Sequence, residues 1–206
     1  MTHDPYTLPT DLPVPADDGA CDGLLGRALP EIKLRSTVGD AVRLSELEST
    51  VVFYVYPRTG RPGVDPVPAW DDVPGARGCT PQSCAFRDHH AELQSLGADV
   101  FGVSAQTRAE QREFADRAHL PYPLLSDDGF ILSRELGLPT FVLAGQRFYR
   151  RVTFIARNAT IVKVFYPVFP PDRSAAEVVM WLEHDGGRAD ATPSEIDSVE
   201  QNRSGT

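Results

Sequence analysis

The chain has 206 residues, enough for one domain of ordinary size with additional segments. An apolar fraction of 41% and a charged fraction of 24% suit a globular chain with a buried core, and exclude wholesale disorder or a collagen-like fold. Of the net charge of −9, residues 1–20 carry −4 and residues 185–206 carry −3, so the body is nearly neutral and offers no basic face for nucleic acid.

No run approaches the ~20 apolar residues that span a bilayer. The opening MTHDPYTLPTDLPVP has neither the basic start nor the apolar stretch of a secretory signal. A cytoplasmic protein without membrane contact is expected.

In chain order, residues 1–20 hold four Pro and four Asp and read as a flexible acidic arm. The globular domain is expected over 21–184, followed by a flexible acidic tail over 185–206. Ser49–Tyr56 (STVVFYVY) is a β-branched and aromatic run, the pattern of a strand covered on both faces. Residues 59–78 (TGRPGVDPVPAWDDVPGARG), with four Pro and a single Trp70, fit neither a helix nor a central strand. A stretch of that length inside a domain points to a functional loop.

Pro81–Leu96 reads as a helix with Phe86, His90, Leu93 and Leu96 on one stripe and Gly97 at its end. Asp99–Ser104 is a second buried strand. Thr107–Ala118 is a polar-faced helix with Phe114 inward, and Phe130–Leu136 a short helix ending at Gly137. Phe148–Ile155 and Thr160–Tyr166 alternate and are expected to form a hairpin turning at Arg157–Asn158. Ser174–His184 is a last amphipathic helix. The order predicts an α/β fold, a mixed sheet flanked by helices.

The three cysteines are Cys21, Cys79 and Cys84. Without a secretory signal, reactive or metal-binding roles outweigh structural disulfides. Thr80 is expected as a helix N-cap, with Pro81 at the first helical position. Cys79 then sits beside the unpaired N–H groups and positive dipole end of the helix, which favours the reactive thiolate. On that helix Cys84 lies roughly 140° around and ~7.5 Å along the axis from Cys79. A bridge between the two requires the first turn to unwind. Zinc held by Cys79, Cys84, His89 and His90 is the metal alternative, disfavoured because adjacent histidines rarely ligate together. His90 is expected to face the core and His89 the solvent. Cys21 is expected as a free thiol in the arm, with a lesser role as an alternative partner for Cys79.

The segments VVFYVYPR, GCTPQSCAFRDHHAEL, GADVFGVSAQT and LPYPLLSD, in that order, resemble peroxiredoxins of the bacterioferritin-comigratory (PrxQ-like) type in the AhpC/TSA superfamily. The similarity runs from about Leu24 to His184. It implies a thioredoxin-like fold and a thiol-dependent peroxidase acting on hydrogen peroxide or organic hydroperoxides. By the resemblance, Cys79 is the peroxidatic nucleophile and Cys84 the resolving cysteine, joined as a Cys79–Cys84 disulfide that a thioredoxin-like dithiol reductant recycles. Arg151, in RVTF, matches the family's active-site arginine, and strand alternation sends it and Arg150 to opposite faces. No metal or organic cofactor is implied, and a monomer or weak dimer is expected.

One departure from the family is plain. Pro57 matches the family's loop proline, but about fifteen extra residues follow it, and Ala76 stands where a Thr or Ser normally precedes the nucleophile by three. Thr59 and Thr80 are the candidate replacements for that hydroxyl, with Pro57 and Thr80 as substrate-positioning residues. Trp70 has two readings, a lid over the pocket or simple loop packing. The competing function is a non-catalytic thioredoxin-fold redox sensor or partner-binding module.

Overall fold

The computed structural model describes residues 8–189, so residues 1–7 of the expected arm and 190–206 of the expected tail lie outside the described residues. The strands are β1 (Lys33–Ser36), β2 (Val42–Arg43), β3 (Thr50–Val55), β4 (Ala98–Ser104), β5 (Leu124–Ser126), β6 (Thr140–Leu143), β7 (Gln146–Tyr149), β8 (Val152–Arg157) and β9 (Thr160–Phe165). The α-helices are α1 (Cys79–Asp88), α2 (His90–Ser95), α3 (Arg108–Ala118), α4 (Ile131–Leu136) and α5 (Ser174–Ala189). Seven strands form one sheet in the order β2-β1-β5-β4-β3-β8-β9, and β6 and β7 form a separate hairpin. β3 is parallel to β4 and antiparallel to β8, and β4 is parallel to β5. This is the expected mixed α/β sheet.

β3 is an interior strand between β4 and β8, and its two faces found two cores. Val51, Phe53 and Val55 point to one side, among Leu44, Leu132, Leu136 and Phe154. Val52, Tyr54 and Tyr56 point to the other, among Phe86, Leu93, Phe114, Val178 and Leu182. Strand alternation thus delivers the aromatic hydroxyls of Tyr54 and Tyr56 to the same face as α1. Gly102 of β4 lies against that layer. A Cβ there would come within 2.5 Å of Tyr54 and Leu124 side chains, so only glycine leaves room for them.

Several boundaries differ from the sequence reading. The helix expected over Pro81–Leu96 is two helices with His89 between them at φ −93°, ψ 4°, and α1 starts two residues earlier than Pro81. The strand expected over Phe148–Ile155 is broken at Arg150–Arg151, with β7 pairing with β6 and β8 with β3. Two different partners for one run of residues are a tertiary choice. The hairpin turn falls on Asn158 and Ala159, both in the left-handed region, one residue later than expected. α5 runs on to Ala189. β1, β2, β5 and β6, each of four residues or fewer, are too short to show a periodicity. α3 is closed at its start by a capping box in which Thr107 Oγ1 accepts from Glu110 N and Glu110 Oε2 accepts from Thr107 N.

Candidate active site

Cys79 occupies the first position of α1, and Gly78 rather than Thr80 is the residue that caps it. Gly78 has φ 102°, and a Cβ added there would meet Pro171 Cγ at 2.4 Å and Leu8 Cδ2 at 2.8 Å. The chain therefore enters the helix through a left-handed glycine, which moves the N-terminus forward and puts Cys79 inside the first turn. Thr80 makes no cap; its side chain is buried and lines the cleft over Cys79.

Arg151 comes from the opposite side of the fold, in the link between β7 and β8, and is 3% exposed. It is not on a strand, as expected, but in the two-residue break between strands. Arg150 beside it points outward to Asp18 at 3.1 Å, so the two arginines do part to opposite sides. Arg151 Nη2 donates to Cys79 Sγ at 3.3 Å, to Arg77 O at 3.2 Å and to Ala76 O at 3.3 Å. Its Nη1 donates to Gln82 Oε1. Gln82 Nε2 in turn donates to Ser174 Oγ at 3.3 Å, and Ser174 Oγ lies 3.0 Å from Thr153 Oγ1. The rigid fork of the guanidinium is thus held by α1 and the carbonyls of residues 76 and 77, with one tip on the sulfur and with Gln82 braced through Ser174 of α5 against Thr153 of β8. Arg151 Nε is buried and has no partner. As a thiol, Cys79 Sγ donates to Ala76 O at 3.6 Å.

A second network fixes the next turn of α1. Ser83 Oγ donates to Cys79 O at 3.0 Å, Tyr122 OH donates to Ser83 O at 2.7 Å, and Tyr54 OH lies 3.1 Å from Ser83 Oγ and 3.0 Å from Tyr122 OH. Burial pushes both phenols well up from their ordinary range, so they serve as neutral hydroxyls. Sequence reasoning missed Gln82, Ser83, Tyr54, Tyr122 and Ser174. The one signal available was polar residues in a segment patterned for burial, and it did not identify their partners.

Cys84 lies on the same helix, half-buried, and all three cysteines are free. Burial pushes its thiol up, opposed by the charge of Arg87. Gln82 N donates to Gly78 O at 3.0 Å across the turn that separates Cys79 from Cys84. Cys21 is not in a mobile arm. It is buried among Leu24, Leu29 and Leu34 on the sheet face opposite to Cys79, with its thiol pushed up to about 12 by burial and by the neighbouring Asp18, Asp17 and Asp22. That placement gives it no access to Cys79.

Residues 59–78 wrap one side of Cys79. Trp70, in a short 3-10 turn, packs edge-on against Phe148 at 5.0 Å and beside Phe141 at 6.0 Å. Ala76 is fully buried in the same cluster, so its methyl group adds to an apolar contact and no hydroxyl stands there. Arg77 donates to both carboxylate oxygens of Asp71, at 3.1 and 3.2 Å. With the β6–β7 hairpin these residues enclose a cleft of about 830 Å³ whose floor includes Cys79 and Thr80. Trp70 is both packing and wall: it is 8% exposed and still lines the cleft. Thr59 does not line it, since its N–H, hydroxyl and carbonyl are all bonded to Gln106. Pro57 is buried with its carbonyl accepting from Ser104, and it is likewise absent from the cleft wall. Arg151 also stays off that wall and lines a separate small cleft beside Tyr166.

His89 pairs with Glu92 at 2.8 Å on the surface. His90 leans on the Tyr122 ring, 5.6 Å between centroids, and burial lowers its basicity. Among the described residues, no group of three or more His, Cys, Asp or Glu is placed to hold a metal ion. No helix among them is long and apolar enough to cross a membrane.

Residues 24–180 match the Redoxin family. Peroxiredoxin Q, chloroplastic, of Oryza sativa subsp. japonica is 33% identical over 159 residues, which cover 77% of this chain and 66% of the rice protein. The peroxiredoxin Q of Sedum lineare is 31% identical over 77% of both chains. Among solved structures, peroxidoxin BcpB from Mycobacterium tuberculosis superposes with a TM-score of 0.63 at 26% identity, covering 82% of this chain and 98% of that one. The sheet order, the cysteine at the head of α1 and these relatives agree: the chain belongs to the redoxin family, as a peroxiredoxin of the Q type.

Proposed function

We propose that this chain is a thiol-dependent peroxidase that reduces hydroperoxides at Cys79. The observation that carries the reading is the guanidinium of Arg151 at 3.3 Å from Cys79 Sγ, held there by Gln82 and two backbone carbonyls. A donor fork already fixed against the sulfur needs no reorganisation during reaction. The Cys79 thiolate attacks the terminal oxygen of the peroxide. The S–O bond forms, the O–O bond breaks, and the departing oxygen takes a proton and leaves as water or an alcohol. Thr80, which lines the cleft beside Cys79, is the hydroxyl assigned here to positioning the incoming oxygens, in place of one at position 76. The product is a sulfenic acid.

The second half of the cycle is the attack of Cys84 on that sulfenic sulfur, which expels water and leaves a Cys79–Cys84 disulfide. Both cysteines lie on one continuous α1, roughly 140° apart around it. Disulfide formation therefore unwinds the first turns of α1 and breaks its contacts with Arg151, Ser83 and Tyr122. A thioredoxin-like dithiol then restores both thiols by exchange. The chain is taken to act as a monomer or weak dimer.

Peptide mass mapping after one equivalent of hydroperoxide tests this reading. The expected product is a Cys79–Cys84 disulfide with Cys21 still free. Cys79→Ser abolishes peroxide consumption, and Cys84→Ser consumes one equivalent and stops at the sulfenic acid. Survival of all three thiols would overturn the peroxidase reading in favour of a non-catalytic sensor.

A further inference from the structure

Cys79 is preceded by a stem, residues 75–78, that belongs to neither a helix nor a strand. No sheet or helix fixes where the stem's carbonyls point, yet Ala76 O and Arg77 O accept from Arg151 Nη2 at 3.3 and 3.2 Å. The same nitrogen reaches Cys79 Sγ at 3.3 Å. Whatever holds the stem therefore also holds the guanidinium on the sulfur.

The hold comes from side chains of residues 59–78. Ala76 is fully buried in one cluster with Trp70 and Phe148. Arg77 spans the joint. Its side chain, 9% exposed, donates through Nη1 to both carboxylate oxygens of Asp71 at 3.1 and 3.2 Å, while its carbonyl accepts from Arg151. Pro15 crowds Gly75, and Leu8 and Pro171 crowd Gly78, which leaves the backbone little room at either end of the stem. The segment is also anchored where it begins. Thr59 N and Oγ1 donate to Gln106 Oε1 at 2.8 and 3.0 Å, and Arg117 Nη2 donates to Gly60 O at 3.0 Å. Arg58 and Arg61 face carboxylate oxygens of Glu110 and Glu113, each at 3.8 Å. Fixed at both ends, the segment is a brace between α3 and the stem.

Resting on the peroxidase reading, we propose that Asp71 is a positioning residue for that reaction: by holding Arg77 it fixes the carbonyls of residues 76 and 77, and through them Arg151 against the Cys79 sulfur. Asp71 is not among the residues that line the cleft over Cys79, so it acts through Arg77 and not on the peroxide. A charge-assisted bond to an arginine that is itself nearly buried keeps its strength better than one between two exposed groups. Small displacements of a preorganised group cost rate, and here the displaced group would be the donor fork on the nucleophile. The stretch of chain that departs from the family's short loop thus becomes part of the machinery that aims Arg151.

The test is the single-turnover rate constant for hydrogen peroxide consumption, a substrate with no organic body for the cleft wall to bind. It is measured where circular dichroism shows each variant folded. Asp71→Ala is expected to slow the reaction about fivefold, the scale of one hydrogen bond's net contribution. Asp72→Ala, which removes the same charge one residue along, is expected to stay within about twofold of native. In an Arg151→Met background the Asp71→Ala change is expected to cost little further rate, because the fork it aims is gone, and this non-additivity marks action through Arg151. If Arg151→Met does not fold, Arg151→Lys, which also lacks the fork, takes its place in the cycle. Asp71→Ala within about twofold of native, or an equal loss from Asp72→Ala, overturns the proposal. A loss from Asp71→Ala that persists undiminished without the fork overturns it as well. A native protein that consumes no hydrogen peroxide sinks instead the peroxidase reading on which the proposal rests.

Discussion

Replacing Arg151 by Met separates what the guanidinium does for the fold from what it does for the sulfur. The side chain is 3% exposed and donates to Ala76 O, Arg77 O, Gln82 Oε1 and Cys79 Sγ. Methionine fills much of the volume but donates nothing. The Gln82 amide can turn toward Ser174, so the lasting loss falls on the two carbonyls. Hydrogen bonds from a charged donor contribute about 1.5–3 kcal/mol, and a fall in stability of about 3 kcal/mol is expected. With a urea m-value of about 2 kcal/mol/M, the unfolding midpoint drops by about 1.5 M. The catalytic loss is separate: removing one preorganised charge donor costs about 10²–10³ in rate. Arg151→Lys restores a charge but not the fork, so it is expected to recover part of the rate and little of the stability. Urea unfolding followed by Trp fluorescence and stopped-flow peroxide reduction are the two assays. A Met variant within about threefold of the native rate, or within about 0.5 kcal/mol of its stability, would refute this double role of Arg151.

Three further outcomes follow from the geometry of α1. Gly78→Ala must place a Cβ 2.4 Å from Pro171 Cγ at φ 102°; a loss of about 2 kcal/mol or more and a disturbed Cys79 are expected, and an unchanged melting temperature would contradict the cap assignment. Tyr122→Phe removes the donor to Ser83 O and loosens the turn that must unwind, so the disulfide should form about fivefold faster after oxidation, the effect of about 1 kcal/mol; quench-flow mass analysis showing no acceleration would count against the clamp. Burial pushes the Cys84 thiol up, and a thiol attacks only as thiolate. At low pH Cys84 is protonated and slow, so disulfide formation is expected to accelerate as pH rises and to go on accelerating above the ordinary thiol value of about 8.5, and a flat profile would show that Cys84 is not the attacking group.

Much of the architecture is legible in the sequence. β3, β4, α3 and α5 announce themselves because long apolar runs and amphipathic stripes carry their own period. Gly137 and Gly97 mark helix ends for the same local reason, and the order of these elements already implies an α/β sheet. The head of α1 is nearly legible: the sequence suggests Thr80 as the cap, but the close packing of Pro171 and Leu8 around position 78 makes Gly78 the residue that turns the chain. The sequence alone also marks Cys79, Cys84 and Arg151 as a group, through resemblance, and distinguishes Arg151 from Arg150.

Only the tertiary structure decided the rest, because each point depends on residues far apart in the chain. Gln82 reads as an ordinary helical polar residue until Arg151, 69 positions away, meets it. Ser83, Tyr54 and Tyr122 become one network only when β3, α1 and the segment before β5 converge. Cys21 lies in a segment whose composition suggests mobility, yet it packs beneath the sheet, because a few apolar neighbours outweigh local polarity once the core has formed. The 59–78 segment has no period of its own, so the sequence can say what it is not. Its shape comes from Trp70 docking on the β6–β7 hairpin and Arg77 pairing with Asp71. Those contacts turn an irregular stretch into the wall of the cleft over Cys79.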